Sequence, residues 1–400
     1  MQKRTTSATA KETQAAADGP VERIARIADV LERSGAANEA LGQLAPEVVD
    51  KLHEQRLFRM LLPRAYDGDE VDLGTWFRAM EALGKLDAST AWCVGQMNGC
   101  AATACAVEPE AARKIWGEPR AALSWGPPIK ARADEVEGGH RVSGEWQMSS
   151  GSRHATWLGL TAPVFDRTGA PVPMPPGSTT CTFFVPATAV TWVDTWDVIG
   201  LNATNSGGFK IDDCFIPAGY SAYRDRVLAS RIDTPLYKFP LNSFFATGFS
   251  GVALGIARAM LDATVALATD KTPRASKHSL QANHFVQFQI GDAEARLRAA
   301  RGYVAATADR VWQEVVASGE LTIPQRIDIR MAATFAIGEA RAVADAAWEV
   351  AGASAIFASS PLERRFRDLR TLTQQIQGRK LHLQEVGAYL MGLEPTLVFA

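Results

Sequence analysis

Cysteine is scarce and poorly placed for cross-linking: Cys93, Cys100, Cys105, Cys181 and Cys214 are odd in number, include no Cys-x-x-Cys pair and stand among apolar neighbours. Such a set builds neither a disulfide framework nor a zinc ribbon, and reads as reduced core thiols in a cytoplasmic protein. A surplus of charge is missing too, with 42 basic side chains against 44 acidic ones and a net charge of −2. Nucleic acids and anionic membranes reward a basic face, so neither is expected as a partner. The most apolar stretch, Phe244 to Ala268, is interrupted by Gly248, Gly251, Gly255, Arg258 and Asp262. A membrane span there would carry two charges costing about 2.5–3.5 kcal/mol each, and a buried helix is the better reading. Met1 to Gly19 has no continuous apolar segment and reads as a flexible lead-in, not a targeting signal.

Several chemical signatures are also missing. No Gly-x-Gly-x-x-Gly follows a strand, no Walker-type phosphate loop occurs and no Gly-x-Ser-x-Gly elbow offers a hydrolase nucleophile. Among the six histidines, His278 and His284 are too far apart to share a helical face, and no metal site is expected.

What remains is an ordinary globular composition, 47% apolar and 22% charged over 400 residues, long enough for two or three units each with its own core. Residues 20–118 have helical patterning. Leu41, Leu44, Val48, Leu52 and Leu57 mark an apolar face, and Asp87 to Cys105 reads as a helix buried on most sides, with Asp87 or Ser89 as its cap. Residues 119–226 change character. Val142, Gly144, Trp146 and Met148 alternate, as do Phe209, Ile211 and Phe215, which predicts short strands of a β-domain. Residues 227–400 return to helices: Ile290, Leu297, Val304 and Val311 recur every seven residues, Pro324 opens the next helix, Gly352 closes it, and a last helix lies within Leu369 to Gly392.

Gly144-Glu145-Trp146-Gln147-Met148-Ser149-Ser150-Gly151-Ser152-Arg153-His154-Ala155-Thr156-Trp157 runs from a strand into a turn of small hydroxylated residues. It resembles the flavin-contacting segment of the acyl-CoA dehydrogenase fold, and more closely that of its two-component reduced-flavin hydroxylases. Gly84 to Trp92, Val198 to Pro217, Gln287 to Arg301 and Glu349 to Leu372 agree in order and spacing. The resemblance spans residues 20–395 and implies an α+β chain with an N-terminal helical domain, a middle β-barrel or sandwich and a C-terminal four-helix bundle.

The resemblance further implies reduced FAD or FMN, with O2 as co-substrate, hydroxylating a small electron-rich aromatic compound through a C4a-hydroperoxyflavin. The enzyme would be a cytoplasmic homotetramer supplied by a separate NAD(P)H:flavin reductase. Ser149 or Ser150 would face flavin N5, and Ser149, Ser150, Gly151 and Ser152 would line the cofactor. Trp125 would be either an aromatic wall or plain core, and His154 would either meet substrate or hold the loop. Arg274 would reach flavin phosphate from a neighbouring subunit, where the Gly352 turn also approaches.

Two departures bear on the reaction. In acyl-CoA dehydrogenases the base that takes the α-proton is most often a glutamate shortly after the pair matching Arg367-Asp368, yet that position falls at Ile376 and no carboxylate lies between Asp368 and Glu385. In aromatic hydroxylases a histidine commonly stands nearby to help deprotonate a phenol; here that position is Gln375, which hydrogen-bonds but takes no proton. A substrate oxidised without prior deprotonation, of indole type, is therefore expected. The competing expectations are an FAD-dependent acyl-CoA dehydrogenase, which would bleach with acyl-CoA, and a catalytically silent scaffold that binds no flavin.

Overall fold

The computed structural model describes residues 18–174, 178, 180–224, 229–274 and 276–395. Most of the expected lead-in, and Arg226 of the loop after the β-domain, therefore lie outside the described residues.

The described residues open with six helices: α1 (Pro20–Ala25), α2 (Ala28–Leu41), α3 (Pro46–Glu54), α4 (Leu73–Leu86), α5 (Ala88–Ala102) and α6 (Pro109–Trp116). Asp72 and Asp87 cap α4 and α5 by accepting from Thr75 N at 2.7 Å and Thr90 N at 2.9 Å. Asp87 is extended, so one residue both ends α4 and starts α5, while Ser89 lies within the helix. Every residue of α5 except Gln96 is buried. Leu44, Val48, Leu52 and Leu57 are in the core, but Leu41 is exposed. Gly42 in the left-handed region (φ 61°) ends α2 at Leu41, so that side chain belongs to a different helix from the face it was expected to share.

Nine strands follow: β1 (Leu123–Trp125), β2 (Pro128–Val136), β3 (Gly139–Trp146), β4 (Trp157–Ala162), β5 (Val164–Phe165), β6 (Cys181–Pro186), β7 (Thr191–Val193), β8 (Gly208–Pro217) and β9 (Ser221–Ala222). They form two sheets, ordered β1-β4-β6-β9 and β5-β2-β3-β8-β7, packed over a core that includes Trp146, Leu160, Phe183 and Phe209. Phe209 and Ile211 point inward as the alternation predicts, but Phe215 is exposed and Ile216 is buried in its place. The register between β3 and β8 shifts near Val142/Gly144, and Asp213 has a φ of 46°. The irregularity inserts one residue and reverses which side chains face the core. Met148 also leaves the predicted pattern: beyond the end of β3 its φ is 51° and its side chain is exposed.

The C-terminal part holds three long helices, α7 (Leu241–Asp270), α8 (His284–Ser318) and α9 (Ile323–Ala351), and two short ones, α10 (Glu363–Leu372) and α11 (His382–Leu390). α11 lies within Leu369 to Gly392, where one helix was expected, whereas α10, which begins at Glu363, was not foreseen. The heptad side chains Leu297, Val304 and Val311 face the core, and Ile290 packs at its edge. α7 is long and apolar enough to cross a membrane (mean hydropathy 1.5), but 61% of that window is buried within the molecule.

The glycines that interrupt this stretch have a packing role. A Cβ on Gly251 would come within 2.8 Å of Phe77 O, and one on Gly255 within 2.2 Å of Glu81 O, so α4 lies directly in a notch of α7. Trp76 Nε1 donates to Phe244 O across the same contact at 2.9 Å. One continuous core consequently joins the N-terminal and C-terminal helices, although the β-domain separates them in sequence. Two large cores, with two small clusters beside them, thus serve the three segments among the described residues.

Candidate active site

The chain leaving β3 is folded by its own backbone. Ser149 N donates to Gly207 O (3.1 Å), Gly151 N to Thr204 O (2.8 Å), Ser152 N to Ser149 O (3.1 Å) and His154 N to Gly151 O (2.9 Å). Gly151 has φ 72°, a conformation that favours glycine, and a Cβ there would sit 3.3 Å from Met97 Cε and 3.4 Å from Cys93 Cβ, so the turn rests closely against α5. Ser149, Ser150 and Ser152 are all buried.

The Ser150 hydroxyl accepts from Trp92 Nε1 of α5 at 3.0 Å and pairs with Ser206 Oγ at 2.7 Å. Ser206 pairs in turn with Thr204 Oγ1 at 2.6 Å, and Thr204 donates to Leu201 O at 2.8 Å. Ser124 Oγ of β1 donates to Ser150 O at 2.7 Å. Trp92 is stacked on Phe249 of α7, with ring centroids 4.0 Å apart. The turn is thereby joined to α5, to β1 and to residues 201–206, with α7 behind it. Ser149 Oγ, fully buried, has no hydrogen-bond partner among the described residues.

The 199–206 segment is tied to the C-terminal helices. Leu201 N donates to Asp368 Oδ1 at 2.6 Å, and Arg367 Nη1 donates to Ile199 O at 2.8 Å while also pairing with Glu39 of α2 at 2.6 Å. Burial pushes the Asp368 carboxyl up to about 7 despite the Leu201 N–H, and the nearby Asp87 and Glu39 charges push the same way. Burial alone pushes the His154 imidazole down to about 4, so it is neutral at physiological pH, and its Nε2 has no partner among the described residues. His154 lies near enough to His53 of α3 to help lower that ring, itself held near 4 mainly by burial.

The expected residues divide into two groups. Ser149, Ser150, Gly151, Ser152 and His154 form the turn itself. Trp125 lies on β1 beside it, 5% exposed, in the helical core, with the Arg224 guanidinium 4.0 Å from its ring centroid. Gln375 is half-buried in the connection between α10 and α11, where its Oε1 accepts from Gln377 N at 2.7 Å and caps its own turn. Gln377 Oε1 accepts from buried Arg330 of α9, and His382 Nε2 donates to Ile376 O at 2.6 Å. Arg274 and Gly352 are exposed, on loops after α7 and α9 that are joined by Lys271 Nζ donating to Ala351 O at 2.8 Å. Among the described residues no hydrogen bond or ion pair links either residue to the serine turn.

Sequence reasoning did not single out Trp92, Ser124, Ser206 or Asp368 for the site. The local signal was the cluster of small polar residues Asn202, Thr204, Asn205 and Ser206. A groove of about 830 Å³ crosses the outer face of the five-stranded sheet between Lys130, Arg132, Glu145 and Lys210, and none of the expected site residues lines it. No three His, Cys, Asp or Glu side chains come together as metal ligands among the described residues.

Helices, a two-sheet middle domain and long helices meeting at this turn define an acyl-CoA-dehydrogenase-type flavoprotein architecture. The N-terminal-domain model of acyl-CoA dehydrogenases matches residues 13–115 and the C-terminal-domain model residues 247–378; the chain belongs to this family. Among curated proteins it is similar to the indole-3-acetate monooxygenase of Pseudomonas putida, 26% identical over 88% of each chain. It is also similar to the pigment production hydroxylase of Rhodococcus erythropolis, 28% identical over 87% of this chain and 90% of that one. Among solved structures, XiaF from Streptomyces sp., in complex with FADH2 and glycerol, superposes with a TM-score of 0.87 at 24% identity, covering 97% of this chain and 98% of that one.

Proposed function

We propose that this protein is the oxygenase component of a two-component flavin-dependent monooxygenase that uses reduced FAD or FMN and O2 to hydroxylate a small electron-rich aromatic, of indole type. The relatives' names support the reaction class. The observation that carries it in this chain is the serine turn, with its buried line of hydroxyls at the meeting of the helical parts and the β-domain, in a protein with no carboxylate between Asp368 and Glu385. An acyl-CoA dehydrogenase most often takes its base from that segment, and lacks one here unless it comes from elsewhere in the fold; an oxygenase needs no such base.

The residues present fit a flavin. Ser150 keeps an unused lone pair at a slightly exposed position of the turn, and Ser149 Oγ is an orphaned buried hydroxyl beside it. When bound, reduced flavin supplies the electrons that activate O2 for transfer of one oxygen atom to the ring. The chain's own residues do the rest. Ser149 to Ser152 hold the polar edge of the cofactor, the Trp92–Phe249 stack and the buried α5 keep water from that side, and neutral His154 brings no charge. Gln375 orients the substrate without taking a proton, which suits a ring that is already electron-rich.

Reducing equivalents come from a separate NAD(P)H-dependent reductase, and the working unit is a cytoplasmic homotetramer in which Arg274 and Gly352 reach the flavin of a neighbouring protomer. The exposed apolar side chains Phe285, Phe288, Ile356 and Phe357, on the segments that follow these two loops, support that assembly. The test is anaerobic titration with reduced FMN and FAD, then mixing with oxygenated buffer and an indole. Tight binding of reduced flavin and an oxygen-dependent hydroxylated product are expected. Bleaching of bound oxidised flavin by an acyl-CoA, without product from indole, would overturn the proposal.

A further inference from the structure

The hydrogen-bond line through Ser150 has a preferred direction. A peptide carbonyl only accepts, so Leu201 O at one end of the line orients the three hydroxyls, while Trp92 Nε1 at the other end, a donor only, fills one lone pair of Ser150 in either direction. Thr204 gives its proton to Leu201 O and so accepts from Ser206; Ser206, its proton used, accepts from Ser150. Ser150 thus receives the Trp92 N–H, gives away its only proton and is left with a lone pair. Leu201 O also accepts from Thr204 N and Trp196 Nε1, both at 3.1 Å, so the line can be reversed. Reversal forfeits the Thr204–Leu201 bond and, in the free protein, leaves the Ser150 proton buried without a partner.

We infer that this line makes Ser150 an acceptor toward a ligand at the turn, and that the site thereby selects reduced flavin, whose N5 carries a hydrogen, over oxidised flavin, whose N5 is itself an acceptor. The inference rests on the proposed placement of flavin N5 at the serine turn. Ser206 and Thr204 are positioning residues that act through Ser150, and neither needs to touch the cofactor. An oxidised flavin pairs with Ser150 only after the line has turned round, at the loss of about one net hydrogen bond. This gives a difference of roughly five- to tenfold between the two redox forms.

The experiment measures dissociation constants for reduced and oxidised FAD and FMN, anaerobically, in the wild type and in Ser206→Ala, Thr204→Val and Trp92→Phe. Ser206→Ala removes the acceptor for the Ser150 proton. Thr204→Val, nearly isosteric, lets Ser206 turn and donate back to Ser150. Both variants are expected to lower the ratio of oxidised to reduced dissociation constants roughly five- to tenfold, chiefly by tightening oxidised flavin. The two-electron potential of the bound flavin should fall by about 20–30 mV. Trp92→Phe leaves the Ser150 proton on Ser206 and is expected to keep the wild-type ratio. An unchanged ratio in both Ser206→Ala and Thr204→Val, or an equal fall in Trp92→Phe, would overturn the inference while leaving flavin binding intact. Failure of the wild type to bind flavin in either redox state would instead remove the functional reading, and the inference with it.

Discussion

The serine turn and the connection between α10 and α11 are both assigned to the active site by the family pattern, yet they are built on opposite principles. Residues 149–154 are pinned by backbone and hydroxyl bonds to α5, to β1 and to the 201–206 turn, with Ser149 Oγ and His154 Nε2 left unpartnered among the described residues. Residues 374–378 make their own cap through Gln375 and hang from one buried cation, Arg330, and one ring nitrogen of His382. The first segment fixes which way hydrogen bonds point. The second offers hydrogen bonds and no group able to remove a proton. On the proposed reading, a site assembled from these two parts would bind by hydrogen-bond polarity and leave the chemistry to an already reactive cofactor and substrate.

The comparison is broken most severely at Trp92. Trp92→Ala removes a buried indole, its stack on Phe249 and the donor to Ser150, and is expected to cost on the order of 3–5 kcal/mol of unfolding free energy, read by urea denaturation. Gln375→Ala loses only a local cap and should cost about 0.5–1 kcal/mol by the same measurement. Equal losses would mean that the two segments are held alike.

Acid and base sharpen the contrast next. His154 and His53 are held near 4 in the folded protein, whereas in the unfolded chain they bind protons below about 6.5. The unfolded state therefore gains protons first, and stability present above pH 6.5 should be lost as the pH falls toward 4. Asp368 has the opposite sign. Held near 7, it keeps its proton in the fold after the unfolded chain has released it, so its contribution to stability declines as pH rises from about 4 to 7. His154→Gln should flatten the acid side of a pH–stability profile. Asp368→Asn, which still accepts from Leu201 N, should remove the declining component between pH 4 and 7. The finest effect is on substrate range: Gln375→His should extend turnover to phenols with little change for indoles, measured as relative kcat/KM. An unaltered range would count against this position as a selector.

The turn itself was legible in the sequence because its chemistry is local: a tryptophan-bearing strand, a left-handed glycine and consecutive serines announce a tight, hydroxyl-lined corner. The line that gives the corner its direction was not, since Trp92 and Ser206 are 58 and 56 residues from Ser150 and only the fold brings them together. The heptads of α8 and the buried character of α5 were readable from spacing and composition. Phe215 was misplaced because a single irregularity at Asp213 changes the parity of a strand without any clear mark in the residues. α10 was missed for the opposite reason: Glu363–Leu372 is mostly charged and buries only Asp368, Leu369 and Leu372, too little apolar pattern to be seen. The shared core of the helical parts depends on the notch at Gly251 and Gly255, which in sequence looked only like an interruption of an apolar run.

The most direct measurement of the central claim is a crystal structure of the protein grown or soaked anaerobically with dithionite-reduced flavin. The account predicts the isoalloxazine against residues 148–152, with N5 at hydrogen-bonding distance from Ser150 Oγ and the Ser150–Ser206–Thr204 line unbroken behind it. Density for the flavin elsewhere, or a side chain of the protein occupying that position while the cofactor stays in solution, would contradict it.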